Sequence, residues 1–222
     1  MFLCKLFTFL LSFLIPQTLE KRDSPVNGLI VIEKFFGKNR ISVNGFWQSG
    51  EYAKRVMRMA LRDLPCKRNP VKNILLLGVG GGSVIEVINI FFPSAQIVGV
   101  DNDSHMIEIG KKYFNLGKAI NLNIIISDAL DFLSDGKRQK IYDIILVDLY
   151  IGCDYPLFIG SKKYLAMIKK SLTLKGVYIF NGSYTEQNRG KTDTLVERTK
   201  MLFPKVELNY RKPNLIIRAY KI

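Results

Sequence analysis

The chain has 222 residues, 48% of them hydrophobic and 23% charged. That is enough for one globular domain with a sizeable core, too few for two full-sized domains, and incompatible with disorder as the main state. Thirty-three basic against 19 acidic residues leave a formal charge of +14, which draws polyanions such as nucleic acid or acidic lipid headgroups but specifies no fold. Cys4, Cys66 and Cys153 are odd in number, far apart and without CxxC spacing. They support neither a disulfide framework nor a zinc site, and a reducing, cytoplasmic compartment is expected.

Residues 1–15 are nearly all apolar, broken by Lys5, Thr8 and Ser12 and stopped by Pro16. This is shorter than the roughly 18 residues of a spanning helix and lacks the basic cluster and small-residue cleavage site of a signal peptide. A segment buried in the fold or covering an interface is expected, with a cleaved signal or a membrane anchor as the alternative. Next comes a β lead-in, in which Leu29–Glu33 and Arg40–Asn44 are β-branched runs joined at Gly37-Lys38-Asn39, predicting a hairpin. Tyr52, Val56, Met59 and Ala60 recur at helical spacing over Glu51–Leu64, and Pro65 and Lys67-Arg68-Asn69-Pro70 end that helix. The expected units are 1–15, 16–70 and 71–222.

Beyond residue 70, continuous apolar runs alternate with helical patterns. The runs are Asn73–Gly78, Gln96–Asp101, Leu122–Ser127, Tyr142–Asp148 and Gly176–Asn181. Strands buried on both faces need such runs, so an α/β fold with a Rossmann-like, mostly parallel sheet is predicted. Lys205–Tyr210 and Leu215–Tyr220, separated by Arg211-Lys212-Pro213-Asn214, predict an antiparallel C-terminal hairpin at its edge.

The first of these strands runs into Gly78-Val-Gly80-Gly81-Gly82-Ser83 and a helical pattern follows. Glycines let the backbone turn tightly and let a ligand approach the main chain, where a helix N-terminus offers free N–H groups. Gly78, Gly80 and Gly82 are therefore candidate ligand-binding positions. Asp101 ends the next strand, about 20 residues on, where a carboxylate accepts hydrogen bonds from both ribose hydroxyls, with Asn102 beside it. No Gly-Lys-Ser/Thr follows the glycines, so a P-loop is excluded. A nicotinamide dinucleotide and S-adenosylmethionine both set a ribose against such an acid, and spacing alone does not choose. Ser127-Asp128-Ala129, where an adenine amino group could be read, and the terminal hairpin favour the adenosyl sulfonium.

From about Leu29 to about Asn181 the chain resembles the spermidine-synthase-like branch of the class I S-adenosylmethionine-dependent methyltransferase superfamily. The matching segments are Val43–Ser49, Leu75–Ser83, Val98–Asp101 with Met106–Phe114, and Tyr142–Asp148. The resemblance implies a class I methyltransferase fold, S-adenosylmethionine or decarboxylated S-adenosylmethionine as cofactor, and transfer of an aminopropyl or methyl group to a small-molecule amine or other nucleophile. Carried onto this sequence, Asp101 holds the ribose, Asp128 with Ala129 the adenine edge, and Gln48 reaches over the nucleoside. Asp148 orients and deprotonates the attacking amine, which as an ammonium has no lone pair.

Three segments depart from the family pattern. Gly81 stands where the family's loop carries an aspartate for the aminopropyl amine. After Asp148 the run is Leu149–Pro156, so the second active-site aspartate is replaced at its usual spacing and Asp154 becomes the substitute candidate. Ser49-Gly-Glu-Tyr52 replaces an acidic, aromatic run.

His105, the lone histidine, reads as a surface residue, Asp103 and Asp131 as turn acids, and Trp47 with Phe35-Phe36 as core or lid. The last three lack the interleaved arginines of a base-stacking face. A homodimer is compatible with the apolar terminus, and the basic surplus adds a nucleic-acid or membrane surface as a partner. Two competing expectations are a methyltransferase acting on RNA or another anionic partner, and a non-catalytic nucleoside-binding or membrane-associated scaffold.

Overall fold

The computed structural model describes residues 11–64, 70–135, 141–152 and 154–222. All three cysteines, residues 1–10 of the apolar terminus and the helix-ending stretch 65–69 lie outside the described residues.

The lead-in is larger than the expected hairpin. Four antiparallel strands follow one another in space: β1 (Gln17–Ser24), β2 (Gly28–Phe35), β3 (Lys38–Val43) and β4 (Phe46–Ser49). β2 and β3 pair as expected, with Ile30 opposite Val43 and Ile32 opposite Ile41. Their turn is Phe36-Gly37, both residues at positive φ; Lys38 and Asn39 already belong to β3. Asn44-Gly45, also at positive φ, closes a second tight hairpin into β4. The polar β1 has no apolar alternation to announce it. Its side chains bond instead to the helix that follows the glycine-loop domain's second strand: Glu20 accepts from Lys112 and Tyr113, and Arg22 donates to Glu108.

Helix α1 (Glu51–Leu61) buries Val56, Met57, Ala60 and Leu61. It stops three residues before the expected end, with Arg62 extended, because the Arg218 guanidinium takes its terminal carbonyls, Met59, Ala60 and Arg62.

The main sheet has seven strands in the order β10-β11-β9-β8-β5-β6-β7. Along the chain come β5 (Asn73–Leu77), α2 (Ser83–Phe91), β6 (Gln96–Asp101), α3 (Ser104–Tyr113), β7 (Leu122–Ile126), α4 (Ala129–Ser134), β8 (Tyr142–Val147), α5 (Lys162–Ser171), β9 (Leu172–Ser183), α6 (Arg189–Leu202), β10 (Lys205–Arg211) and β11 (Asn214–Tyr220). β5 to β9 are mutually parallel; β11 and β10 run antiparallel at one edge.

The continuous apolar runs are explained by two core layers. In β5, Ile74 and Leu76 face α1 and α2, whereas Leu75 and Leu77 face α5 and α6. β9 is longer than the run Gly176–Asn181 because it enters through an irregularity opposite Tyr142 and Ile144. A third cluster, Ile30, Ile32, Ile41 and Val43 against Met106, Ile109 and Phe114, packs the lead-in onto α3. The chain runs outward from β5 through β6 to β7 and then returns to β8 on the other side of β5, so the loops after β5 and β8 flank the crevice where open α/β sheets take ligands.

Candidate active site

The loop after β5 is shaped by its glycines. Gly78, Gly80 and Gly82 all have positive φ, and Gly82 opens α2 with no side chain bonded to its first-turn N–H groups. A Cβ at Gly78 would lie 2.3 Å from the Asp148 carbonyl oxygen, so the loops after β5 and β8 touch backbone to backbone.

Two serines bind the lead-in to this loop. Ser49 Oγ accepts from Gly81 N at 3.1 Å, and Ser83 Oγ accepts from Gly50 N at 3.0 Å. A side chain at Gly81 would meet Ile41 Cδ1 at 2.5 Å and Ser49 Oγ at 2.8 Å. A loop aspartate at this position would require the Ile41 and Ser49 side chains of β3 and β4 to move aside.

Asp101 closes the loop from the β6 side. Its Oδ2 accepts from Val79 N and Gly80 N at 3.0 and 2.9 Å, and its Oδ1 from Asp103 N at 2.9 Å. Burial raises this carboxyl above the usual range against the lowering effect of those N–H groups. Asn102 beside it is exposed. Asp128 caps α4, Oδ1 accepting from Leu130 N at 2.7 Å and Asp131 N at 3.3 Å, and Ala129 is buried behind it. Asp103 is a structural acid: it caps α3 and accepts from Ser24 and Asn27, each at 2.6 Å. Burial works to raise its carboxyl, and these hydrogen bonds bring it below the ordinary value. His105 starts the same helix, partly exposed.

Asp148 leaves part of its surface open, yet desolvation pushes its carboxyl up to about 6. Asn181 Nδ2 donates to its Oδ1 at 2.7 Å. Asp154 faces elsewhere, accepting from Lys191 at 2.9 Å and from Asn188 at 3.4 Å on the α6 side. Partial burial acts to raise Asp154, but the Lys191 hydrogen bond holds it below its ordinary value. The loop between the two acids folds back on itself through Ile151 and Asp154, and Gln48 Nε2 donates to its Gly152 carbonyl at 2.8 Å. Gln48 therefore joins the lead-in to the β8 loop across the crevice.

Trp47 is 61% exposed and Phe36 57% exposed, so of the core-or-lid expectation only the lid is left for these two. An arginine is interleaved after all: the Arg40 guanidinium lies 4.8 Å from the Phe35 ring centre and 4.9 Å from that of Trp47, while also paired with Glu33 at 2.9 Å. The β3–β4 hairpin brings these groups together, and nothing in their linear order shows it.

Sequence comparison decides the family. The spermine/spermidine synthase domain model matches residues 51–213. The chain belongs to that family. Within its wider surroundings, the human "eEF1A lysine and N-terminal methyltransferase" is 28% identical over 142 residues, 59% of this chain and 20% of its own; the chain spans about a fifth of that relative's length. A probable spermidine synthase from Corynebacterium glutamicum has the same fold, at TM-score 0.77 and 17% identity over 92% of this chain and 80% of its own. Human methyltransferase-like protein 13, solved in complex with SAH, aligns at TM-score 0.62 and 25% identity over 77% of this chain and 82% of its own. The domain described here thus shares the family and the fold of the spermine/spermidine synthases. Its glycine loop, the N-terminus of α2 without a side-chain cap and the Asp101 carboxylate at the end of β6 would suit an adenosyl sulfonium such as S-adenosylmethionine or its decarboxylated form.

Proposed function

We propose that the domain transfers a methyl group from S-adenosylmethionine to an amine nitrogen. The carrying observation is the closed space at Gly81. An aminopropyl donor presents an isolated ammonium that needs a carboxylate in the loop, and Ile41 and Ser49 occupy the volume that such a side chain requires. S-adenosylmethionine presents an ammonium and a carboxylate together, and a carboxylate suits the N-terminus of α2, which no side chain caps.

In this reading residues 71–222 hold the donor and residues 16–70 form the wall that selects it. The backbone of Gly78, Gly80 and Gly82 carries the methionine part, Asp101 with Asn102 the ribose, and Asp128 with Ala129 the adenine edge. Gln48 holds the β8 loop over the nucleoside. Asp154 with Lys191 anchors the far end of that loop.

Asp148 takes the proton of the arriving ammonium and so exposes the nitrogen lone pair. When bound, the donor supplies a methyl carbon whose bond to sulfur breaks as the N–C bond forms, the electron pair passing to sulfur. Alignment supplies most of the acceleration. The human relative is an eEF1A lysine and N-terminal methyltransferase, and a protein amine is accordingly the favoured acceptor class over a free polyamine.

The test offers the purified protein two donors, S-adenosylmethionine labelled in the methyl group and decarboxylated S-adenosylmethionine labelled in the aminopropyl group, with lysine-rich polypeptides and putrescine as acceptors. Label is expected from the methyl donor only, on polypeptide amines. Aminopropyl transfer to either acceptor overturns the proposal.

A further inference from the structure

Behind Asp148 lies a row of polar side chains from three separate elements, which the proposed reaction has so far left unused. Tyr52 Oη, on α1, bonds to Asn214 Oδ1 at 2.5 Å. Asn214, the first residue of β11, donates through Nδ2 to Asn181 Oδ1 at 3.0 Å and to Tyr150 Oη at 3.2 Å. Asn181, on β9, donates to Asp148 Oδ1 at 2.7 Å. Both asparagines are more than nine-tenths buried, where two amides in an otherwise apolar sheet cost stability unless fully bonded.

The direction of the row is set by chemistry. An ionised carboxylate only accepts, so Asn181 must turn its NH2 toward Asp148 and its oxygen toward Asn214. Asn214 must then offer its own NH2 to Asn181, and its oxygen is left to receive the Tyr52 hydroxyl. Each amide that accepts at its oxygen donates more strongly at its nitrogen. Among the described residues no lysine or arginine pairs with Asp148, and its Oδ2 has no hydrogen-bond partner. The titratable groups around it are the phenols of Tyr150 and Tyr52 and, beyond Tyr150, the Asp154 carboxylate already paired with Lys191.

We propose that Tyr52, Asn214 and Asn181 are positioning residues, a one-way hydrogen-bond relay that orients the Asp148 carboxylate and leaves Oδ2 as the oxygen that takes the acceptor's proton. This rests on the methyl-transfer reading for the role of Asp148, but the relay itself is measurable without any substrate. It also connects the lead-in helix α1 to the catalytic loop, so that the element closing the donor site acts on the base as well.

The experiment follows the side-chain carboxyl carbon of Asp148 by NMR titration of protein labelled at aspartate, its signal assigned by loss in Asp148→Asn. Tyr52→Phe, which removes one hydroxyl and little volume, is expected to move the Asp148 midpoint up by about 0.3 pH units. Asn214→Ser is expected to move it further, and Asn181→Leu by about one unit or more. The acidic limb of the methyl-transfer pH profile should move by the same amounts, with activity regained at higher pH and an unchanged KM for S-adenosylmethionine. An unmoved midpoint in Tyr52→Phe and Asn214→Ser overturns the relay; should Asn214→Ser fail to fold, Tyr52→Phe alone decides. A midpoint that moves while the pH profile stays fixed keeps the relay and overturns the proton-taking role of Asp148.

Discussion

Asp148 sits where a carboxylate is least comfortable, held by one neutral amide and desolvated until its carboxyl titrates near 6. An acid whose folded pKa lies above its unfolded value, near 3.9, binds extra protons when folded. Stability at this site therefore falls as pH rises from about 4 to about 6 and levels off above. Asp148→Asn removes that cost and should stabilise the protein at pH 7.5 by about 1 to 3 kcal/mol while removing methyl transfer; paired urea titrations at pH 7.5 and pH 4 check this, the gain vanishing at the lower pH. Asp101 and Asp148 could be singled out from the sequence because each ends an apolar run, where a charged residue has no packing reason to stand. Ser49, Ser83, Asn181 and Asn214 could not. Their partners lie 32 or 33 residues away, or more, and an uncharged amide or hydroxyl carries no sign of what the fold sets opposite it.

Among the elements, the glycine loop and the lead-in sheet are mutually dependent. Ile41 and Ser49 fill the volume that a side chain at position 81 would need, so Gly81→Asp should destabilise by about 1 to 3 kcal/mol through overpacking. Adding Ile41→Ala to Gly81→Asp should return part of that loss, a coupling that a double-mutant cycle in urea reads directly. The strands of the main sheet other than β9 were legible within a residue or two because strands buried on both faces leave continuous apolar runs. In the lead-in, only β2 and β3 carry apolar alternation. β1 is polar, held by Glu20 and Arg22 against α3, and β4 has four residues, two of them exposed aromatics. Helix α1 ends early for a similar reason: the guanidinium that takes its last carbonyls comes from residue 218, and no local signal places it there.

For the molecule as a whole, the parts form a clamp. The seven-stranded sheet presents the β5, β6 and β8 loops at one edge. The four-stranded lead-in closes over them through Ser49 to Gly81 and Gln48 to Gly152, and α1 adds a bond from Tyr52 to Asn214 on β11. The +14 surplus acts over about 8 Å at physiological salt, so the acids at the strand ends define the chemistry of the crevice locally. Of the apolar terminus, Ser12 is docked on the β2–β3 turn, Phe13 lies edge-on to Phe36, and Phe13, Leu14 and Ile15 stay exposed. No helix among the described residues is long and apolar enough to cross a membrane. In the proposed function the clamp holds an adenosyl sulfonium with its ribose on Asp101, and calorimetric titration tests that most directly. S-adenosylmethionine should bind the unmodified protein more tightly than its decarboxylated form does, and Asp101→Ala should weaken that binding about 100-fold or more. Heat-silent titrations with every adenosyl compound, or equal affinity for S-adenosylmethionine with and without the Asp101 carboxylate, would contradict the account.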